Sequence, residues 1–264
     1  MTHMLKYTFS LFLLFSVLGV SAQQELKVEK ADTVKAPLTV KPTQQRYGLR
    51  VGIDLHRLSR SFYYDGFKGL EVVGDYRLTK KWYAAAELGN VNFNKDDDQL
   101  NYTTKGSYLK VGFDYNAYEN WLDMENMIYI GFRYGFSTFN QRLNSYTIYQ
   151  NTDISSSDDV SNYFDDVTIN EARDYSGLSA HWLEVVGGVK AELFSNLYLG
   201  FSVRLNSLLS NKKPADFDNL YIPGFNRTYD GSFGVGFNYT LSYFIPLYKK
   251  KEVQEKKPEA KPKN

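Results

Sequence analysis

Residues 47–55 read YGLRVGIDL, and every second residue is apolar: Tyr47, Leu49, Val51, Ile53 and Leu55, with Gly48, Arg50, Gly52 and Asp54 between them. Alternation over this length specifies a β-strand with one greasy face and one polar face. The same period returns in GLEVVGDYRL (69–78), WYAAAELGNV (82–91), SYLKVGFDY (107–115), IYIGFRYGF (128–136), WLEVVGGVKAEL (182–193), LYLGFSVRLN (197–206) and FGVGFNYTLSYFI (233–245). No stretch between these segments shows sustained helical periodicity. The chain therefore reads as all-β, and what remains to be decided is which face of each strand points inward.

Composition of the polar face decides it. That face carries Arg50, Asp54, Glu71, Asp75, Arg77, Glu87, Lys110, Asp114, Arg133, Glu184, Lys190 and Arg204, interleaved with glycines. The outer face of a soluble barrel would show few glycines, because glycine inside a strand weakens a sheet. Glycine beside a charge fits a crowded lumen where large side chains need room. The apolar face is nearly free of charge, and its aromatics gather at strand ends: Tyr47, Tyr76, Trp82, Tyr115 and Tyr243 toward one end, Tyr134, Phe136 and Phe233 toward the other. Such girdles mark the two interfaces of a membrane. A strand of about twelve residues, rising about 3.3 Å each and tilted by about 40°, spans roughly the 30 Å of a hydrocarbon layer. The strands are thus expected to be inside out, with Leu49, Val51 and Ile53 toward lipid and Arg50 and Asp54 toward the lumen. The fold class predicted is an eight-stranded antiparallel up-and-down transmembrane β-barrel. Closure removes the unpaired edges that lipid would not tolerate.

The ends of the chain fit export. MTHMLK, the apolar run YTFSLFLLFSVLGV and the small-residue site Val20-Ser21-Ala22 form a signal peptide over 1–22. With no cysteine, an exported chain has neither a disulfide framework nor a lipid-modified cysteine. Residues 23–46 and the Lys-rich 249–264 read as flexible periplasmic segments flanking a barrel over 47–248. Connections alternate between short turns such as TKK (79–81) and FSN (194–196) and long loops. The long ones include NFNKDDDQLNYTTKG (92–106), roughly residues 140–180 and 210–232, as a transmembrane barrel requires. An even number of strands leaves both termini in the periplasm and the long loops at the cell surface. A net charge of +1 supplies no field for a nucleic acid.

On these features, together with the aromatic-rich last strand FGVGFNYTLSYFI, the chain resembles the small outer-membrane barrels of Gram-negative bacteria, of the OmpA-transmembrane-domain and OmpX kind. It is similar in particular to porin-like families of unknown function in Bacteroidota, where signals ending SAQ are common. The resemblance implies an integral outer-membrane protein in contact with outer-membrane lipid and lipopolysaccharide, and with an envelope protein complex as a further partner. PLYKKKEVQ after the last strand departs from barrels that end on a terminal aromatic.

Chemistry-bearing motifs are sparse. His56 is expected on the lumen face near the rim, and Ser179 and His181 share a strand face without a fixed acidic orienter. The acidic stretches around Asp96 and at Asp158, Asp159, Asp165 and Asp166 lack the spacing of a calcium loop and read as solvated loops. SYTIYQ and DVTIN are expected to pair as a hairpin above the membrane. No metal, no cofactor and no catalytic residue is predicted. The predicted working feature is a lumen ion-pair network of Arg50, Asp54, Glu71, Glu87, Lys110, Arg133, Glu184, Lys190 and Arg204, centred on Arg133 and Glu87 and closing the lumen. The function expected is non-enzymatic, structural or accessory. A narrow channel, a rim enzyme acting on lipid A and a soluble exported ligand-binding barrel are the alternatives.

Overall fold

The computed structural model describes residues 43–118, 125–148, 167–225 and 232–252. They form β1 (Thr43–Asp54), α1 (Leu55–Tyr63), β2 (Phe67–Arg77), β3 (Trp82–Lys95), β4 (Leu100–Asn116), β5 (Met127–Ile148), β6 (Val167–Ile169), β7 (Arg173–Phe194), β8 (Leu197–Asn211) and β9 (Phe233–Glu252). Every pairing is antiparallel. The pairings return on themselves: β1 to β2, β2 to β3, β3 to β4, β4 to β5, β5 to β7, β7 to β8, β8 to β9 and β9 back to β1.

The count is nine strands rather than the predicted eight. The extra one, β6, is three residues long and stands outside the ring. Among the described residues it pairs only with the far end of β5, Ile148 opposite Val167 and Tyr146 opposite Ile169, which is the hairpin expected from SYTIYQ and DVTIN.

Three boundaries also differ from those read in the sequence. Thr43–Arg46 and Lys249–Glu252, expected in flexible segments, pair with each other and lengthen the β1–β9 ladder. The expected long loop over 92–106 is mostly strand, because β3 runs to Lys95 and β4 begins at Leu100. Much of the expected loop 140–180 likewise belongs to β5 and β7, each 22 residues long. The asymmetry between the two ends lies in strands that overhang, as well as in loops. The segment 1–22 and residues Asp158, Asp159, Asp165 and Asp166 lie outside the described residues.

The turn between β7 and β8 is set by local chemistry. Between β7 and β8 the chain reverses at Asn196, whose φ of 67° is the left-handed conformation that asparagine tolerates best among residues with a side chain.

A helix appears where the sequence suggested only a strand end and a loop. Asp54 ends β1 and caps α1, its carboxylate accepting the N–H groups of His56 (2.7 Å) and Arg57 (3.2 Å). Leu55, Leu58 and Phe62 follow at i, i+3 and i+7. With only nine residues the helical period is too short to stand out, and Leu55 continues the alternation of β1 by coincidence of type.

The alternation has the predicted sense. Along β5, from Met127 to Leu143, odd-numbered residues are buried and even-numbered ones exposed, so Arg133 is inside and Ile128, Ile130 and Phe132 are outside. Every long strand puts apolar side chains outward, among them Leu49, Leu70, Leu88, Leu109, Ile130, Val185, Phe201 and Tyr243. Beyond Phe136 the outward positions of β5 turn polar, at Thr138, Asn140 and Arg142. Of the aromatics assigned to girdles, Trp82, Tyr134, Phe136, Phe233 and Tyr243 are exposed, and Tyr76 and Tyr115 are half-buried beside them. Trp82 packs on Tyr115 with ring centres 5.1 Å apart. Tyr47 departs from the expectation. A register shift between Tyr47 and Gly48 seats it, buried, between the Tyr248 ring (5.3 Å) and the Arg77 guanidinium (5.0 Å).

Candidate functional site

The interior of the ring has two layers. The first is ionic. Glu87 on β3 accepts a two-pronged bond from Arg204 on β8 (2.6 and 2.9 Å), and lies 3.4 Å from both Lys110 Nζ and Arg133 Nε. Glu184 takes the same Arg204 at 3.0 Å, Lys110 at 3.2 Å and the Trp182 indole N–H at 2.7 Å. Arg133 pairs most closely with Asp114 (2.7 Å). Lys190 bridges Asp114 (3.9 Å) to Asp75 (2.6 Å), and Asp75 holds Arg50 at 2.9 Å. On the other side Glu71 meets Lys110 (3.9 Å) and Arg57 (2.9 Å), and accepts from the Tyr108 hydroxyl. Asp54 closes the chain through Arg57 (3.7 Å) and the Asn238 amide.

Every residue assigned to the lumen network is therefore in one connected set. Six acids (Asp54, Glu71, Asp75, Glu87, Asp114, Glu184) face six bases (Arg50, Arg57, Lys110, Arg133, Lys190, Arg204). Isolated ions in such a place would be very costly, and mutual pairing offsets that cost. The expected centre is corrected, however. Arg133 touches Glu87, but Glu87 is held chiefly by Arg204 and Arg133 chiefly by Asp114. Arg77 and Glu192 belong to a separate cluster at the short-turn end, where Arg77 lies 3.5 Å from Glu125 and Arg46 bridges Glu125 and Glu192 at 3.3 Å each. Arg57 was missed because its helix was missed.

The second layer is aromatic and apolar, and period-2 alternation alone did not reveal it. Toward the overhanging end the inward residues are Phe67, Val91, Phe93, Tyr102, Tyr108, Phe139, Leu143 and Trp182. The described part of the β8–β9 connection, up to residue 225 and expected to be exposed, folds back into this layer and buries Tyr221, Ile222 and Phe225. Gln141 pins it by donating to the Asp218 carbonyl (3.0 Å) and accepting from the Leu220 N–H (2.8 Å). The lumen glycines do make room as expected: a Cβ at Gly135 would stand 2.1 Å from the Trp182 indole. Gly224 combines a φ of 86° with a Cβ position 2.5 Å from the Tyr108 ring. Gly224→Ala should therefore cost at least about 1–2 kcal/mol through the left-handed backbone alone, read as a lower urea midpoint of the folded protein.

Between the two layers and the short-turn end, a cavity of about 30 Å³ is lined by Arg50, Asp75, Glu87, Arg133, Lys190 and Arg204, room for about one water. The arrangement can hold the wall rigid and obstruct passage. His56 and His181 are the histidines within the described residues. His181 faces outward, where its Nδ1 lies 2.6 Å from the Tyr134 hydroxyl and its ring 4.8 Å from Phe136. His56 is not on the lumen face; it sits on α1 against Phe237 and Tyr239. Among the described residues no group of three or more acidic or histidine side chains is placed to hold a metal.

Among curated proteins none matches the chain. Among solved structures, the attachment invasion locus protein Ail of Yersinia pestis is similar at 9% identity over 77% of this chain and 99% of that one, with a TM-score of 0.37. A family model covers residues 4–250, nearly the whole sequence. The chain belongs to the family described as domain of unknown function DUF6048.

Proposed function

We propose that this protein is an integral outer-membrane β-barrel whose eight long strands cross the bilayer, and that it acts without enzymatic chemistry, as a structural or accessory component of the envelope. One observation carries the reading: the polarity of the fold is inverted. Twelve ionised side chains are paired inside, while all eight strands of the ring present apolar residues to the surroundings. Water-soluble monomers do not expose continuous apolar surface on this scale, and lipid removes the cost of doing so. A closed ring also leaves the strands no free edge over most of its circumference. The ionic layer and the re-entrant β8–β9 segment act as the lumen's stopper, in keeping with the side-chain-filled interior of an eight-stranded barrel. Both termini then lie on the periplasmic side, and the OmpA- and OmpX-like and Bacteroidota affinities inferred from the sequence fit this architecture.

The test is cell fractionation with gel electrophoresis of boiled and unboiled samples. The protein is expected in the outer membrane with heat-modifiable mobility, and the purified monomer is expected to give no large steady conductance in a planar bilayer. Recovery in the soluble periplasm would overturn the reading, and a large ohmic conductance would replace the stopper with a channel.

A further inference from the structure

The ring is not walled by strand everywhere. β1 stops at Asp54, with its last partners Val72 on β2, opposite Ile53, and Thr240 on β9. Past that level β2 continues through Phe67–Glu71 and β9 through Phe233–Tyr239, with no strand on the sides that had faced β1. Helix α1 fills the gap and packs on both. The Ser61 hydroxyl serves the β2 edge, accepting the Gly69 N–H (2.9 Å) and donating to the Gly69 carbonyl (3.2 Å). On the other side His56 stacks on Phe237 (4.7 Å) and the Ser59 hydroxyl lies 2.8 Å from that of Tyr239.

Along this second contact runs a cleft of about 170 Å³, lined by His56, Arg57 and Arg60 from the helix and by Val235, Phe237 and Asn238 from β9. Its cations differ. Arg57 turns inward to Asp54 and Glu71. Arg60 is held by aromatic faces, its guanidinium 4.3 Å from the centre of Phe67, 5.1 Å from Tyr64 and 5.8 Å from Phe93. Among the described residues it makes no ion pair. The rings hold the guanidinium in place, none of its N–H groups donates a hydrogen bond among the described residues, and a planar fork matches phosphate. The rim is apolar and open: Val235 is 75% exposed and Phe62, on the same helix, 83%.

We propose that this seam binds a phosphate-bearing lipid from the surrounding bilayer, an inference that rests on the barrel reading above. The phosphate takes Arg60 and His56 in the cleft, and the acyl chains lie outside it along Val235, Phe237 and Phe62. The cleft is well under the roughly 300 Å³ of a pocket that swallows a small molecule whole, so it accommodates a head group and leaves the chains in the wall's apolar surroundings. Charge selects the head group, and the exposed apolar rim selects a lipid over a free anion.

Native mass spectrometry of the full chain, released from mild detergent, tests this with phosphatidylglycerol, uncharged diacylglycerol and inorganic phosphate as probes. Wild type should carry one saturable phosphatidylglycerol, and Arg60→Gln should weaken it at least tenfold. Lys105→Gln, an exposed charge on β4, should leave it unchanged. Heat-modifiable mobility of each variant shows that it is folded. Equal phosphatidylglycerol binding by folded Arg60→Gln, equal binding of diacylglycerol, or displacement of the lipid by millimolar phosphate would each overturn the site while leaving the barrel reading intact. A wild-type chain that stays soluble and monomeric without detergent would overturn the barrel reading instead.

Discussion

Glu87→Ala should destabilise the folded protein by about 3–5 kcal/mol, the usual cost of removing one partner from a buried ionic group. The loss is not one ion pair. Glu87 accepts both prongs of Arg204 and stands 3.4 Å from Lys110 and from Arg133. Its removal leaves Arg204 and Lys110 to share Glu184, and leaves Arg133 with Asp114. Six bases then face five acids in a space with room for about one water. The double change Glu87→Ala with Arg204→Ala removes one charge of each sign and should cost less than the single change, although it deletes more atoms. Urea titration of the protein folded into lipid vesicles measures both. A double variant as unstable as the sum of the two single variants would show that Glu87 and Arg204 do not stabilise one another, and would contradict the ionic layer as described.

Phe201→Arg should cost about 2–4 kcal/mol in the same vesicles, because a cation near the middle of the lipid-facing band has no partner and no water. Phe201 is half-exposed on the outward face of β8, midway between Leu197 and Leu205. The same substitution at Leu209, near the overhanging end, should cost about 0–1 kcal/mol, since arginine there reaches the interface. The gradient between the two sites is the informative quantity. In a water-soluble protein an exposed Phe→Arg change is close to neutral wherever it falls, so equal and small effects at both positions would contradict the membrane assignment and not merely its depth.

Everything that depends on neighbours two residues away could be read from the chain alone. Period-2 alternation is local, so each strand's two faces are legible at Leu49 and Arg50, or at Phe132 and Arg133, without knowing what the strand packs against. The sense of the inversion was legible too, because glycine interleaved with ionised residues on one face fits a crowded interior better than a solvated strand surface. Membership of the ionic layer followed for Arg50, Asp54, Glu71, Glu87, Lys110, Arg133, Glu184, Lys190 and Arg204.

Which charge meets which was settled by the assembled ring. Glu87 and Arg204 are 117 residues apart, and their meeting depends on the stagger accumulated around the ring and on register shifts such as those between His181 and Trp182 and between Tyr47 and Gly48. A shift of one residue moves a side chain to the other face, which is how Tyr47 left the aromatic girdle. Three further features were invisible for the same reason. Helix α1 is two and a half turns long, too short for its period to rise above the alternation before it. The overhangs of β5 and β7 are polar outside and therefore resemble loops. The insertion of Tyr221, Ile222 and Phe225 is favourable only because Phe93, Tyr108 and Trp182, each from a different strand, build an apolar chamber to receive them. Local pattern fixes which way a residue faces; closure of the ring fixes what it meets there.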